Sequence, residues 1–300
     1  MSFQLINEDT ASVVLFGASG YVGQAFKKEL DKRKITYFAP ESGMLNLLHY
    51  GSIETVLDAM KPTFVINCAG YTGKPNVDAC EDHKEEAQQG NIVAPFNLSQ
   101  ICEKLNIPWG HVSSGCIYNG YEKEFTEEDE PNFSFDKPPC SFYSGTKASG
   151  EKALKDTSCY IWRLRIPFDE FDSPRNYLTK VLNYDTLLNV DNSISHKEDF
   201  VKACLDLWAS SADFGIYNVT NTGSVKASDV MALFEAHHKK DFSDKTLMTD
   251  VQNFYDAVGC RALRSNCVLD NSKLTSSGVK MRTADEALED AVKKWRPNED

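Results

Sequence analysis

The sequence lacks the long apolar run that a membrane helix needs, and it is poor in positive charge. No stretch approaches the ~18 consecutive apolar residues that would cross a bilayer. The 300 residues carry 32 basic and 44 acidic side chains, which gives a formal net charge of −12. We therefore expect no nucleic-acid and no membrane partner, and an anionic small molecule would need basic groups gathered in a cleft.

The sequence has no C-x-x-C pair, although it contains 9 cysteines. They lie far apart and are odd in number, so a disulfide framework and a structural zinc site are both disfavoured, and we expect no metal site. The N-terminus carries acidic residues where a secretory signal would be basic. We therefore expect a cytoplasmic protein with reduced thiols.

The sequence does contain a regular alternation of strand and helix patterns. Residues 12–16 (SVVLF) form a short apolar run that is typical of a strand buried on both faces. Similar runs recur at 35–39, 63–68, 109–114 and 160–164, with helical patterns between them. The alternation predicts an α/β fold with a Rossmann-type doubly wound parallel sheet.

The alternation becomes less regular after about residue 166, which indicates a smaller C-terminal substrate lobe. A helix over 197 to about 210 and a strand over 215–220 look like a return to the sheet, and the tail from 226 reads as mostly helical. The polar, proline-containing residues 123–139 predict a surface loop. The resulting domain prediction is a Rossmann domain of residues 1–166 and about 197–221, with a substrate lobe of about 167–196 and 222–300.

Three glycines follow the first strand directly. Gly17, Gly20 and Gly23 stand in the order G-x-x-G-x-x-G and lead into a helical pattern. Unpaired N–H groups at a helix N-terminus can hold a pyrophosphate, so the turn predicts a dinucleotide site. An acidic residue about 20 positions further on would favour NAD over NADP. Glu41 is the nearest candidate, with a solvated loop carboxylate as the alternative.

A tyrosine and a lysine stand four residues apart in a predicted helix. Tyr143 and Lys147 share one face there, although a surface pair is the alternative interpretation. Because a nearby cation favours the phenolate, we expect Lys147 to lower the pKa of Tyr143 for proton exchange with a carbonyl or alcohol oxygen. Ser114, at the end of a predicted strand, can hydrogen-bond the same oxygen.

With these residues the chain resembles the extended short-chain dehydrogenase/reductases, and YSGTKASGEKAL is similar to a segment of the sugar-nucleotide 4-keto reductases. Longer segments resemble the nucleotide-rhamnose synthases, which are UDP-4-keto-6-deoxyglucose 3,5-epimerase/4-reductases similar to dTDP-4-dehydrorhamnose reductase. These segments are NCAGYTGKPNVDACEDHKEEA, SSGCIY, EEDEPNFSFD, SPRNYLTKV, DNSIS and RSNCVLDNSKL.

The resemblance implies a UDP-4-keto-6-deoxyglucose substrate, UDP-L-rhamnose as the product and NADP(H) as the cofactor. The Rossmann domain would then bind NADP(H), and the lobe would bind the sugar nucleotide. The chain shows no dehydratase segment before the glycine turn, so a UDP-glucose 4,6-dehydratase is the expected functional partner. A homodimer stays open.

The resemblance also gives Cys116 and Lys180 the epimerase roles. The position two after the catalytic serine is cysteine in epimerase-reductases and tyrosine in pure 4-keto reductases, and here it is Cys116. A thiolate there could remove a proton next to the 4-keto group, while Ser114 and Tyr143 stabilise the enolate. Lys180 matches the family's acid on the opposite face. Outside the family, a lone cysteine is more often a small buried apolar residue.

The remaining site residues are also implied by the resemblance. Arg264 matches a contact to the UDP phosphates, and a surface salt bridge is the alternative for it and for Arg175. The expected substrate contacts are Thr72, Asn91, Ser114, Cys116, Arg175, Asn176, Asn192, Ser193 and Arg264. The expected cofactor contacts are Gly17, Ser19, Gly20, Tyr21, Val22, Gly23, Ser42, Asn67, Ala69, Gly70, Tyr143 and Lys147.

One departure from the family leaves the choice of cofactor open. Where the plant enzymes read Ser-Gly-Arg after the second strand, this chain has Ser42, Gly43 and Met44. It lacks the arginine expected to face a 2′-phosphate, so NAD(H) stays open beside NADP(H). Two other functions also stay open. One is a reductase alone, acting on an already epimerised dTDP-sugar, and the other is a non-catalytic NADP-binding regulatory subunit resembling that of methionine adenosyltransferase.

Overall fold

The computed structural model describes residues 12–41 and 43–297. The strands are β1 (Ser12–Phe16), β2 (Thr36–Phe38), β3 (Phe64–Asn67), β4 (Trp109–Ser114), β5 (Cys159–Leu164), β6 (Pro167–Phe168), β7 (Thr186–Leu188), β8 (Ser195–His196), β9 (Gly215–Asn218) and β10 (Thr246–Met248). The helices are α1 (Tyr21–Lys32), α2 (Tyr50–Met60), α3 (Lys84–Gln88), α4 (Ala94–Lys104), α5 (Phe142–Leu154), α6 (Tyr177–Asn183), α7 (Lys197–Ala209), α8 (Ala227–His238), α9 (Val251–Val258), α10 (Ser272–Ser276) and α11 (Ala284–Lys293).

The central sheet has six parallel strands in the order β2-β1-β3-β4-β5-β9. The predicted α/β fold with a doubly wound parallel sheet is therefore confirmed. The chain moves outward from β1 to β2 and then crosses back to β3, so the strand order reverses between β1 and β3. Ligands of open parallel sheets bind in the crevice outside the strand ends at such a reversal.

Two hydrophobic clusters cover the two faces of this sheet. On one face Trp162 of β5 packs with Phe26 of α1 and Phe200 of α7. On the other face Trp109 of β4 lies in a cluster with Leu98 of α4. Because the central strands are buried on both sides, apolar residues occupy most positions of β1, β3 and β5 rather than alternating with polar ones.

A third cluster lies in the part of the chain predicted to form the lobe. It includes Phe168, Leu178, Val225, Phe234 and Leu288. Two small parallel sheets, β7 with β10 and β6 with β8, belong to the same part. The tail is thus not only helical, since it also contributes β10 and an irregular stretch over 259–271.

The predicted loop over 123–139 contains no helix, and its only β-structure is isolated bridges. It is not wholly at the surface, however. Phe125 and Phe133 are buried, and Phe125 pairs with Leu269 through an isolated bridge. The aromatic side chains anchor the loop, which the polar composition did not indicate.

Three further observations apply to the described residues. None of their helices is long and apolar enough to cross a membrane. They contain no group of three or more His, Cys, Asp or Glu side chains placed to hold a metal ion. All the cysteines are free thiols.

Gly110 provides a test of the packing between β4 and β5. A Cβ built at Gly110 would overlap the buried ring of Trp162. We expect Gly110→Ala to lower the free energy of unfolding by about 1–3 kcal/mol, because the ring must shift in a closely packed core. Urea denaturation would measure this loss. At Gly43 a Cβ would meet no described atom within 4 Å, so Gly43→Ala is the control, and equal losses in the two variants would contradict the prediction.

Candidate active site

A cavity of about 1030 Å³ opens at the edge of the sheet where the parallel strands end. Segments that follow β1, β3, β4 and β5 line it, together with α5, α6 and residues 258–266. The predicted site residues that line it are Gly20, Tyr21, Val22, Gly23, Ala69, Gly70, Thr72, Ser114, Cys116, Tyr143, Lys147, Arg175, Lys180, Asn192 and Arg264. The structure thus brings together most of the residues that were inferred separately.

The glycine turn packs tightly against the chain that leaves β3. Gly17 has φ +74°, and a Cβ there would lie 2.5 Å from the Ala69 nitrogen. At Gly23 a Cβ would overlap the Gly17 carbonyl oxygen. Gly20 is the N-cap of α1, and none of the described side chains caps this end. The first N–H groups of α1 are therefore available to an anion, and the cradle fits the pyrophosphate of a dinucleotide.

Other predicted cofactor contacts lie outside the cavity lining. Gly17 shapes the turn, and Ser19 is exposed beside it. Asn67 is fully buried, where its side-chain oxygen accepts a hydrogen bond from Ala69 N at 2.9 Å and its amide contacts His111 Nδ1 at 3.2 Å. It positions backbone that lines the cavity, which is a different role from the predicted one. Ser42 lies outside the described residues.

The Ser114, Tyr143 and Lys147 side chains meet where α5 crosses the end of β4. Ser141 caps α5 by accepting a hydrogen bond from Ser144 N at 3.1 Å, which fixes the first turn that carries Tyr143. The Ser114 side chain lies near enough to the Tyr143 phenol to influence its pKa. Lys147 Nζ donates to the Val112 carbonyl oxygen at 3.2 Å. The three groups form one buried polar cluster.

Burial sets the protonation of this cluster. It raises the pKa of Tyr143, and the nearby Cys116 raises it further, although the nearby Ser114 side chain lowers it. The expectation that Lys147 lowers the pKa of this phenol is therefore wrong, because desolvation outweighs the effect of nearby cations. Burial also lowers the pKa of Lys147 to about 8. A phenol that keeps its proton is suited to protonating a carbonyl oxygen.

Cys116 and Lys180 approach the same cavity from different elements. Cys116 follows β4, and its backbone N–H donates to the Ser114 hydroxyl oxygen at 3.1 Å. Lys180 comes from α6, in the predicted lobe. Burial lowers the pKa of Lys180, and the neighbouring Arg175 and Arg264 lower it further. Its ammonium therefore gives up a proton more readily than that of an exposed lysine.

Two predicted substrate arginines bridge the cavity. Arg175 donates to the Gly73 carbonyl oxygen at 2.7 Å and to Thr72 Oγ1 at 3.2 Å. Arg264 forms an ion pair with Asp78 at 2.8 Å. The salt-bridge interpretation thus holds for Arg264 in this structure, and a phosphate would have to share that guanidinium with Asp78.

Three predicted substrate contacts do not line the cavity. Asn91 is buried between the Tyr71 backbone and the Thr146 hydroxyl. Asn176 caps α6, and its amide donates to Asp169 and to the Phe171 carbonyl oxygen. Ser193 is buried, and its hydroxyl oxygen accepts a hydrogen bond from Leu269 N at 2.9 Å. Each of these side chains forms hydrogen bonds that hold neighbouring backbone in place. The structure therefore does not support a substrate contact from any of the three.

The sequence reasoning missed Arg165. It follows β5, is 1% exposed, lines the cavity and donates from Nη1 to Cys116 Sγ at 2.9 Å. The available signal was the pattern RLRIP, in which two arginines flank a leucine at the end of an apolar strand. Side chains two residues apart in a strand face the same side, so both arginines were placed to enter the interior.

Comparison with known proteins identifies the family. The model of the RmlD substrate binding domain matches residues 11–296. The chain belongs to this family. It is thereby an RmlD-like extended short-chain dehydrogenase/reductase, as the sequence resemblance predicted.

Three relatives show how far the similarity extends. A bifunctional dTDP-4-dehydrorhamnose 3,5-epimerase/dTDP-4-dehydrorhamnose reductase of Arabidopsis thaliana is 31% identical over 285 residues, covering 92% of this chain and 90% of that protein. The trifunctional UDP-glucose 4,6-dehydratase/UDP-4-keto-6-deoxy-D-glucose 3,5-epimerase/UDP-4-keto-L-rhamnose-reductase RHM1 of the same plant is also 31% identical, but the chain spans only 40% of its length. The crystal structure of the L780 UDP-rhamnose synthase of Acanthamoeba polyphaga mimivirus superimposes with a TM-score of 0.85 at 25% identity, covering 94% of this chain and 99% of that one.

The glycine turn generates a binding prediction. A Cβ at Gly20 would lie 3.3 Å from the Gly17 carbonyl oxygen, so the turn itself tolerates alanine with a small adjustment. The new methyl group would nevertheless occupy space at the cavity wall, where backbone has to approach a pyrophosphate. We expect Gly20→Ala to weaken NADPH and NADH binding by roughly tenfold or more, measured by titration calorimetry. Gly51→Ala, with no described atom within 4 Å of its Cβ, should bind both as the parent does. Undiminished binding by Gly20→Ala would show that the dinucleotide lies elsewhere.

Proposed function

We propose that this protein is a bifunctional UDP-4-keto-6-deoxyglucose 3,5-epimerase/4-keto reductase that makes UDP-L-rhamnose with NADPH. The single observation that carries the proposal is the shared cavity. Cys116 and Lys180 line it together with Ser114, Tyr143 and Lys147. A reductase needs only the last three residues, whereas epimerisation needs an additional base and acid.

In the reduction, the chain's own residues bind the cofactor and supply the proton. A bound nicotinamide dinucleotide would provide the hydride for C4. The glycine turn would hold its pyrophosphate, and Lys147, beside Gly70, would hold its ribose. Tyr143 protonates the oxygen on C4, and Ser114 hydrogen-bonds the same oxygen while its negative charge develops. Because the pKa of Tyr143 is raised, the phenol retains this proton until the oxygen on C4 accepts it.

In each epimerisation, Cys116 and Lys180 exchange protons with a carbon next to the 4-keto group. The C–H bond breaks as an S–H bond forms on Cys116, and the electron pair moves to the 4-keto oxygen. Ser114 and Tyr143 hydrogen-bond that enolate oxygen. Lys180 then delivers a proton to the same carbon from the other face, and exchange with water restores both side chains. The lowered pKa of Lys180 favours this transfer.

The cofactor and the domain division remain part of the proposal. Gly43 and Met44 are exposed after β2, and no basic side chain occupies those positions. NADPH is proposed from the family resemblance, with NADH as the alternative. The separate hydrophobic cluster around Phe168 and Phe234 supports a sugar-nucleotide lobe of about 167–196 and 222–300.

The substrate chemistry also sets the proposed partner. A 4-keto-6-deoxy sugar has to come from a 4,6-dehydratase, so a UDP-glucose 4,6-dehydratase is the proposed functional partner. The trifunctional plant relative is itself named for a UDP-glucose 4,6-dehydratase activity. A purely regulatory subunit would have no need of a proton donor, a base and an acid in one cavity, and for this reason we favour the enzyme.

A coupled assay tests the proposal directly. Purified protein, a UDP-glucose 4,6-dehydratase, UDP-glucose and either NADPH or NADH are combined, and the nucleotide sugar is identified by NMR. We expect UDP-L-rhamnose and oxidised cofactor. A UDP-6-deoxyhexose with unchanged C3 and C5 would show a reductase without epimerase activity. Cofactor binding without oxidation would favour the regulatory role.

Replacement of Cys116 should separate the two activities. We expect Cys116→Ala to lower deuterium uptake from solvent at C3 and C5 by about 100-fold or more, because the proposed base is lost. Tyr143-dependent oxidation of NADPH should remain. Cys260 also lines the cavity, so Cys260→Ala is the matched control and should retain both activities. Parental deuterium uptake by Cys116→Ala would remove Cys116 from the mechanism.

A further inference from the structure

We infer that Arg165 is the positioning residue of the epimerase site. Its guanidinium orients the Cys116 side chain and stabilises it as a thiolate, the form that can remove a proton. The use of this pair in epimerisation rests on the function proposed above. The pairing itself rests on the geometry and the charges around the Arg165 guanidinium.

The guanidinium of Arg165 is buried and held in one orientation. Its Nη2 donates to Asn192 Oδ1 at 2.5 Å and to the Ser265 carbonyl oxygen at 2.6 Å. Its Nη1 donates to Cys116 Sγ at 2.9 Å, and its buried Nε has no partner among the described residues. Asn192 also accepts a hydrogen bond from Cys267 N at 3.2 Å. The predicted substrate contact Asn192 thus orients Arg165.

Arg165 differs in one respect from the other arginine at the end of β5. Arg163 is equally buried, but Glu151 binds it through both carboxylate oxygens, at 2.8 to 3.2 Å. No carboxylate of the described chain lies within ion-pair distance of Arg165, whose oxygen partners are both neutral. A buried cation without an anion is costly, because water no longer solvates its charge.

Cys116 is the group best placed to supply the missing negative charge. The titratable groups that face Cys116 are Arg165, Tyr143, Lys147, Lys180 and Cys267. Tyr121 also lies near Arg165, but burial raises the pKa of its phenol to about 12, so it keeps its proton. Tyr143 keeps its proton in this environment, and Cys267 is turned towards the Gly115 carbonyl oxygen and Ser265. Only Cys116 has its sulfur directly against a guanidinium N–H of Arg165. A thiolate there satisfies that donor and balances the charge.

This pairing explains how a base can exist next to the substrate without a histidine or carboxylate beside it. A thiolate that abstracts a proton becomes a neutral thiol, and its electron pair forms the S–H bond. The electron pair of the broken C–H bond moves to the 4-keto oxygen, which then carries the negative charge. Arg165 does not touch that oxygen in the proposed step. It acts through Cys116, by selecting and orienting the sulfur's anionic form.

The test measures the reactivity of Cys116 in the free protein. Iodoacetamide alkylation is followed from pH 5 to 10, with each cysteine quantified by peptide mass spectrometry. Asn192→Asp places a carboxylate against Arg165 with almost no change in shape, so it competes with Cys116 as the counter-ion. We expect the pH of half-maximal Cys116 alkylation to rise by about one to two pH units in Asn192→Asp and in Arg165→Met. Arg165→Lys, which keeps the charge, should shift less. Equal midpoints in the parent and both variants would overturn the inference.

Two controls keep the result unambiguous. Cys260, measured in the same spectra, should keep its profile in every variant, because the charged groups that act on it are Arg264 and Asp78. If Arg165→Met fails to fold, as judged by circular dichroism, Asn192→Asp decides the question alone. Deuterium uptake by the parent tests the proposed function separately. A shifted alkylation profile without any uptake would retain the Arg165–Cys116 pair and reject the epimerase.

Discussion

The parallel direction of the six central strands is the constraint on which the site depends. Since all six run the same way, every loop that follows a strand emerges at one edge of the sheet. The glycine turn follows β1, the 68–72 segment follows β3, Ser114 and Cys116 end or follow β4, and Arg165 follows β5. The buried apolar strands hold these loops at fixed spacings. Residues far apart in the chain therefore become neighbours at this edge.

Burial at that edge does more than exclude water, because it assigns protonation states. The same desolvation raises the pKa of the Tyr143 phenol and lowers the pKa values of the Lys147 and Lys180 ammonium groups. An acid with a firmly held proton thus lies beside a lysine that releases its proton more easily. In a solvated cleft, the three groups would titrate close to their ordinary values and would differ less in role. The depth of the cavity is therefore part of its chemistry.

The sequence could predict the elements whose signal is local. The strands of the central sheet followed from short apolar runs, whereas the short strands of the two small sheets were not predicted. The glycine turn followed from glycine spacing, and Ser114, Tyr143 and Lys147 followed from a spacing that one helix and one strand end explain. The roles of Asn91 and Asn176 could not be predicted in this way. Each of these amides is satisfied by backbone groups of neighbouring turns or distant segments, and nothing in its own sequence neighbourhood distinguishes such an amide from a ligand contact. The direction of the Tyr143 pKa shift was missed for a similar reason, since it depends on how deeply the fold buries the ring.

The distribution of charge around the cavity contrasts with that of the whole chain. The protein carries a formal net charge of −12. Its cavity is nevertheless lined by the basic side chains Lys147, Arg165, Arg175, Lys180 and Arg264, against the acidic side chains Asp78 and Asp185. A local excess of positive charge in an acidic protein attracts a small anion into the cleft, while the rest of the surface repels large polyanions. The pair of Arg264 with Asp78 adds selectivity to this attraction, because an anion has to compete with a carboxylate that is already bound at 2.8 Å. A multiply charged diphosphate can meet that condition better than a single carboxylate can, since it offers several oxygens to the same guanidinium.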